Sequence, residues 1–310
     1  MALPTTEQRM RSAFERLAPQ EGYTQSVHPS VRLMRSDRPL ERTPVLYEPS
    51  IVIVCQGRKR GFLGDKVYVY DAQHYLVLSV PLPFFTETEA SAEAPMLAVA
   101  LKLDLAVVAD LVMKLGKVGL PTSPPKGITA EPLDEPLANA TLRLLEALTS
   151  PVDAEVLAPD VLREIYYRVL AGKQGEAIRA ALAHQGHFGR VSRALRRIHT
   201  DYAQDLNVTG LANEAGMSVA AFHSHFKTIT QNSPIQYIKS IRLHEARLMM
   251  IRDNVTAAAA SARVGYESPS QFSREFRRLF GRSPGSEARD MKALFALRPA
   301  AALASALDKY

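Results

Sequence analysis

Gln271 and Arg274 stand three residues apart in the run SPSQFSREFRRLF, residues 268–280, and both side chains suit the edges of base pairs. A guanidinium pairs bidentately with guanine, and a carboxamide does the same with adenine. Phe272, Phe276 and Leu279 recur at helical spacing and turn one face inward. Ser270, Gln271, Ser273, Arg274, Arg277 and Arg278 are left outside. Gln271 and Arg274 are the expected base readers. Arg277 and Arg278 suit phosphates, a contact that positions without specifying. Ser268 caps the helix and Pro269 opens it.

The pattern occurs twice. LANEAGMSVAAFHSHF, residues 211–226, precedes ASARVGYESPSQFSREF, residues 260–276. Gly216 answers Gly265, Phe222 answers Phe272, Phe226 answers Phe276, and Ser233-Pro234 answers Ser283-Pro284. The offset is 49 residues at the glycines and 50 beyond them, so the second turn is longer by one. In the first copy Phe222 and Phe226 face inward, leaving Ala220, Ala221, His223, Ser224 and Lys227 outside. Among these, Lys227 is the expected phosphate contact. The cap residues Ser218 and Ser268 are expected to touch phosphates as well. Such a face lies in the major groove in helix-turn-helix proteins, so the repeat predicts two reading heads on double-stranded DNA.

Helices must hold these faces. Residues 190–202 read as a lead helix with Val191, Leu195 and Ile198 on one side. Residues 208–215 precede the turn at Gly216, where glycine accepts a positive φ cheaply. Ser233-Pro234 opens a long helix to about Arg252 that joins the two motifs.

Charge supports the placement. The net charge is +6, yet residues 190–310 hold 18 Lys+Arg against 10 Asp+Glu. The remaining residues carry a slight acidic excess. A basic domain attracts the phosphate backbone. No apolar run is long enough for a membrane span, and the first residues lack a signal-peptide core. Cys55 is the only cysteine, so no intrachain disulfide exists. These features predict a cytoplasmic protein.

The N-terminal half reads differently. An amphipathic helix over 7–17 is followed by Pro29, Pro39 and Pro44, which break the pattern. Short strands run from Ser50 to about Leu103, with a hairpin turn at Gly64-Asp65. Helices over 132–148 and 161–170 follow, to pack on the strands or on a partner subunit. The fold class is therefore α+β in two domains: an N-terminal β-barrel or sandwich with flanking helices and a C-terminal all-α domain with two helix-turn-helix motifs. The expected divisions are a sensor or dimerisation domain over 1–171, a linker over 172–189, a DNA-binding domain over 190–292 and a tail over 293–310.

The connector RLHEARLMM, residues 242–250, the GMS and GYES turns and both Ser-Pro starts resemble the AraC/XylS family of bacterial transcription regulators. Residues 25–170 resemble one of its cupin-like sensor domains. The resemblance implies a regulator, an activator acting with RNA polymerase, that binds promoter DNA as a homodimer under a small-molecule effector. It places reading positions on Ala220, His223 and Ser224, and on Pro269, Ser270, Gln271 and Arg274. Two departures stand out. Ala260 and Ser261 replace a larger apolar residue and an alanine, and Glu287 occupies a position that is usually aromatic.

Ligand pockets favour barrel mouths, and Tyr68, Tyr70, His74, Phe84 and Phe85 are the candidates to line one. Cys55, near Arg58, Lys59 and Arg60, is a candidate redox sensor, although the apolar run IVIVC favours packing. No metal or cofactor is expected. His74 has no partner at ligand spacing in the strands, and the pairs His223/His225 and His184/His187 fall on the reading helix and the linker. No phosphate loop and no GxSxG elbow is present. The rival readings are a metal-dependent cupin-type enzyme with a DNA-binding appendage and an effector-free architectural DNA-binding protein. A zinc-thiolate repair protein needs more than one cysteine.

Overall fold

The structure, a computed structural model, describes residues 4–115, 126–172, 175–182 and 186–296. The chain divides into two compact units, Met1–Arg196 with Thr209–Pro234, and Arg197–Val208 with Ile235–Tyr310.

The first unit opens on α1 (Thr6–Leu17), whose start is fixed by a capping box between Thr5 and Gln8. Nine strands follow in close succession: β1 (Gly22–Gln25), β2 (Val31–Ser36), β3 (Leu40–Tyr47), β4 (Ser50–Gln56), β5 (Arg58–Leu63), β6 (Lys66–Asp71), β7 (His74–Leu78), β8 (Leu82–Glu89) and β9 (Met96–Lys102). After α2 (Leu105–Leu115) comes β10 (Ile128–Pro132). The strands part into two antiparallel sheets and do not close a cylinder. One has the order β1-β2-β9-β4-β7-β10 and the other β3-β8-β5-β6.

The prolines did not exclude strands before Ser50. Pro44 sits in β3, an edge strand, where a missing N–H interrupts no inner ladder. The apolar residues of α2 continue the strand composition before it, so composition alone does not mark this helix.

Ile51, Ile53, Cys55, Val77 and Val99 point to the helical side of the six-stranded sheet. They pack there with α1, α3 (Glu135–Ala147) and α5 (Ala158–Ala171), through Phe14, Leu144, Ile165 and Val169. Both α3 and α5 therefore bury one face within this chain. Alternation turns Met34, Val52, Val54 and Leu76 to the opposite face, toward the second sheet. A short α4 (Pro151–Val156) separates α3 from α5, and α6 (Gly175–Leu182) occupies part of the expected linker.

The helices of the C-terminal third are α7 (His187–Asp201), α8 (Val208–Glu214), α9 (Val219–Thr230), α10 (Pro234–Arg252), α11 (Ala257–Arg263), α12 (Pro269–Phe280) and α13 (Pro284–Ala296). Leu243, Ala246, Met250, Ala260, Val264, Phe272, Phe276 and Phe280 form one core in the second unit. Full burial of a Leu, Met, Val or Phe side chain contributes roughly 1.5–3 kcal/mol. Ala260 and Ser261, the small residues of α11, are fully buried. The expected alanine-rich tail lies largely outside the described residues.

Candidate nucleic-acid interface

Each reading helix is set by the residues that predict it. Ser218 Oγ accepts from the Ala221 amide at 3.3 Å, and Ser268 Oγ accepts from the Gln271 amide at 3.2 Å. Each hydroxyl keeps its own proton to donate. The turns are left-handed at Gly216 (φ 62°) and Gly265 (φ 81°). A Cβ on Gly265 would lie 2.6 Å from the Ala203 carbonyl oxygen, so glycine is required there.

A guanidinium grips each turn. Arg190 Nη1 donates to the Gly216 carbonyl at 3.1 Å, and Arg242 Nη1 donates to the Gly265 carbonyl at 3.0 Å. Arg242 also donates to the carbonyls of Tyr202 at 2.7 Å and Gln204 at 2.8 Å. These two arginines are structural residues that the repeat alone did not single out.

On α9, Phe222 and Phe226 are buried, Ala220, Ser224 and Lys227 are exposed, and His223 is half-buried. On α12, Phe272 and Phe276 are buried, while Pro269, Ser270, Gln271, Arg274, Arg277 and Arg278 are exposed. Among the described residues, no carboxylate pairs with Arg274, Arg277 or Arg278.

Gln271 is already engaged. Its Nε2 donates to Glu275 Oε1 at 3.1 Å, and Glu275 also accepts from Lys239 at 2.6 Å and from the Tyr266 hydroxyl at 2.7 Å. Burial acts to raise the Glu275 pKa, but these hydrogen bonds outweigh it and hold the carboxyl below its usual range. Reading adenine with Gln271 therefore means exchanging an internal bond.

The connector motif acquires a physical role in the second unit. Glu287, buried where an aromatic residue was expected, accepts from Arg247 Nε at 2.6 Å and lies 3.4 Å from Arg282 Nε. Arg247 covers the Phe280 ring with its guanidinium 5.1 Å from the centroid. His244 is buried edge-on to the same ring, 5.2 Å between centroids. Burial first, and then Arg247, push its pKa down to about 3.

The five candidate lining residues of the sheet unit separate. Tyr70 and Phe84 are buried, and Tyr68 is half-buried on their face. Phe85 takes the other face, where Arg42 lies over its ring and that of Phe62. His74 stands at the start of β7, with Nδ1 2.9 Å from Asp71 Oδ1. Phe85 and His74 therefore do not join Tyr70 and Phe84. Alternation sends Arg58 and Arg60 outward to Asp71, Glu87 and Glu89, and sends Lys59 inward. Lys59 is 2% exposed, and its Nζ meets the Met34 thioether at 3.5 Å.

Residues 27–177 match the model of the AraC-type transcriptional regulator N-terminus, and residues 211–290 match a helix-turn-helix domain. The chain belongs to the AraC family. It is 26% identical over 176 residues to the thermoregulatory protein LcrF of Yersinia pestis, a match covering 56% of this chain and 64% of LcrF. It is 30% identical over 91 residues to the transcriptional activator RhaS of Pectobacterium atrosepticum, covering 29% of this chain and 32% of RhaS. The chain thus spans less than two thirds of the length of these curated relatives. A structure of ToxT from Vibrio cholerae O395 superposes with a TM-score of 0.60 at 11% identity, covering 86% of this chain and 98% of ToxT. That likeness shows a shared fold.

In this AraC-family chain Cys55 is 2% exposed, and burial pushes its thiol up to about 12. That environment opposes the thiolate a redox sensor needs. The two histidine pairs also resolve differently from their sequence grouping. His187 stacks on His225, 4.0 Å between centroids and 11° between planes, while His184 lies outside the described residues. Among the described residues no group of three or more His, Cys, Asp or Glu could hold a metal, and no helix is long and apolar enough to cross a membrane.

Proposed function

We propose that this AraC-family chain is a cytoplasmic, sequence-specific DNA-binding transcription regulator, an activator that works with RNA polymerase and is controlled by a small-molecule effector. The observation that carries the reading is the paired presentation of α9 and α12. Each follows a left-handed glycine, is capped by a serine and exposes most of the expected contact residues, with His223 and Ser268 half-buried. Ala220, His223, Ser224, Ser270, Gln271 and Arg274 read bases. Ser218, Lys227, Ser268, Arg277 and Arg278 hold phosphates. The reading assigns the chain no enzymatic step and no cofactor.

The domain division proposed is a cupin-like sensor and dimerisation domain over 1–171, a linker over 172–189 and a DNA-binding domain over 190–292. A ToxT structure described as bound to an unsaturated fatty acid supports an effector role for the sheet unit. Exposed Val152, Val156 and Leu157 supply an apolar face for a homodimer.

The test is sequencing of genomic fragments retained by the purified protein at near-physiological salt. The expected result is one long asymmetric motif upstream of a few genes. Broad retention without a motif would move the assignment to an architectural protein.

A further inference from the structure

The interior of the sheet unit holds three polar groups whose hydrogen-bonding capacity is unmet. Lys59 is buried between the sheets, and no carboxylate pairs with it among the described residues. Its contact there is the Met34 sulfur, a weak acceptor. The hydroxyls of Tyr47 and Tyr70 are buried as well. They are close enough to perturb each other's ionisation, yet neither completes a hydrogen bond of normal geometry. Unpaired buried groups of this kind are rare in folded proteins and point to a missing partner.

Register brings Lys59 and Tyr70 together. Lys59 of β5 lies directly opposite Tyr70 of β6 and Thr88 of β8. Tyr47 packs edge-on against Phe84, 5.0 Å between centroids. Gly61 lets the Phe84 and Tyr70 rings approach β5 closely. A Cβ there would stand 3.1 Å from the Phe84 ring and 3.7 Å from the Tyr70 ring.

All three groups can donate, and the ammonium can only donate. What the region lacks is an acceptor that also carries negative charge. A carboxylate fits on both counts, because its two oxygens offer about four lone-pair sites and its charge offsets a buried ammonium. The neighbouring side chains of Met34 and Phe84 suit an apolar body. We propose that Lys59, Tyr47 and Tyr70 form the recognition point for a compact organic carboxylate, the effector of this unit. This inference rests on the effector-controlled regulator reading.

The hairpin that carries Lys59 and Tyr70 also reaches the first reading motif. Gly64, in its turn, faces Gln231, the left-handed residue that ends α9. A Cβ on Gly64 would lie 3.3 Å from Gln231 Oε1. A ligand seated on this hairpin thus has a short physical route to a reading helix.

The test is calorimetric titration of the full chain with butyrate and phenylacetate, each against its neutral amide. The same titrations are run on Lys59→Met and Tyr70→Phe. The expected result is that at least one carboxylate binds wild type tenfold or more tighter than its amide. Lys59→Met abolishes this preference, and Tyr70→Phe weakens binding several-fold. Two outcomes overturn the proposal: wild type binds neither carboxylate in preference to its amide, or folded Lys59→Met keeps the preference. If Lys59→Met does not fold, unchanged carboxylate affinity in Tyr70→Phe also overturns it. Retention of genomic DNA by the same preparations separates the two readings. A protein that retains a defined motif but ignores carboxylates loses only the ligand assignment. One that binds carboxylates without a DNA motif loses only the regulator assignment.

Discussion

Arg247 Nε donates to Glu287 Oε1 across 2.6 Å, with the two side chains 13% and 6% exposed. An acidic residue at an expected aromatic position is thereby accommodated by the connector helix. Removing one partner of a buried pair leaves an uncompensated charge and costs about 3 kcal/mol. Glu287→Ala should lower the stability of the second unit by roughly that amount in a denaturant melt. The double variant Arg247→Met/Glu287→Leu should recover most of the loss. A Glu287→Ala protein within 0.5 kcal/mol of wild type, on the order expected of a surface change, would show that the pair is not holding α10 to α13.

His244 predicts an acid-sensitive second unit. Its folded pKa lies near 3, below the ordinary histidine value of 6.5, because of burial and Arg247. Between those values the unfolded chain binds more protons, so this group's contribution to stability rises with pH and is lost on acidification. From pH 7 to pH 5 the loss from this group is about 2 kcal/mol. His244→Leu should remove that part of the pH dependence. Equal pH dependence in the two proteins, followed by denaturant melts at both pH values, would contradict the assignment.

Arg274 and Arg277 should behave differently on DNA. Arg274→Ala is expected to lose about 1–3 kcal/mol at one base position and relax specificity there. Arg277→Ala should weaken all sequences alike and reduce the salt slope by about 1. Binding titrations over a set of single-base variants at two salt concentrations distinguish the roles. Uniform weakening by Arg274→Ala would reassign it to phosphate.

Much of the reading surface was legible because helix caps, turn glycines and inward phenylalanines are local signals. Ser268, Gly265 and Phe272 each act within a few residues of their own position. The partners that complete the site are not local. Arg242 reaches Gly265 across 23 positions, and Glu287 finds Arg247 across 40. In the sheet unit, strand alternation could separate Lys59 from its neighbours Arg58 and Arg60. It could not say which face was inward, and the aromatic candidates were accordingly split. Pro44 marked a break in the sequence but sits in an edge strand, because edge status depends on topology and not on the residue itself.

Cys55 offers a simple check on the interior. Its buried thiol, raised to about 12, should react with a thiol reagent far more slowly in the native protein than after unfolding. Cys55→Ser should leave a reporter's response to aldehydes and oxidants unchanged. Fast native labelling, or a lost response, would restore the sensor role.

Hydroxyl-radical footprinting on a retained genomic site tests the central claim of two reading heads. The account predicts two protected segments in successive major grooves, about one helical turn or 34 Å apart. Arg274→Ala should weaken one of them and leave the other. A single protected segment that Arg274→Ala does not touch would contradict reading by the second motif.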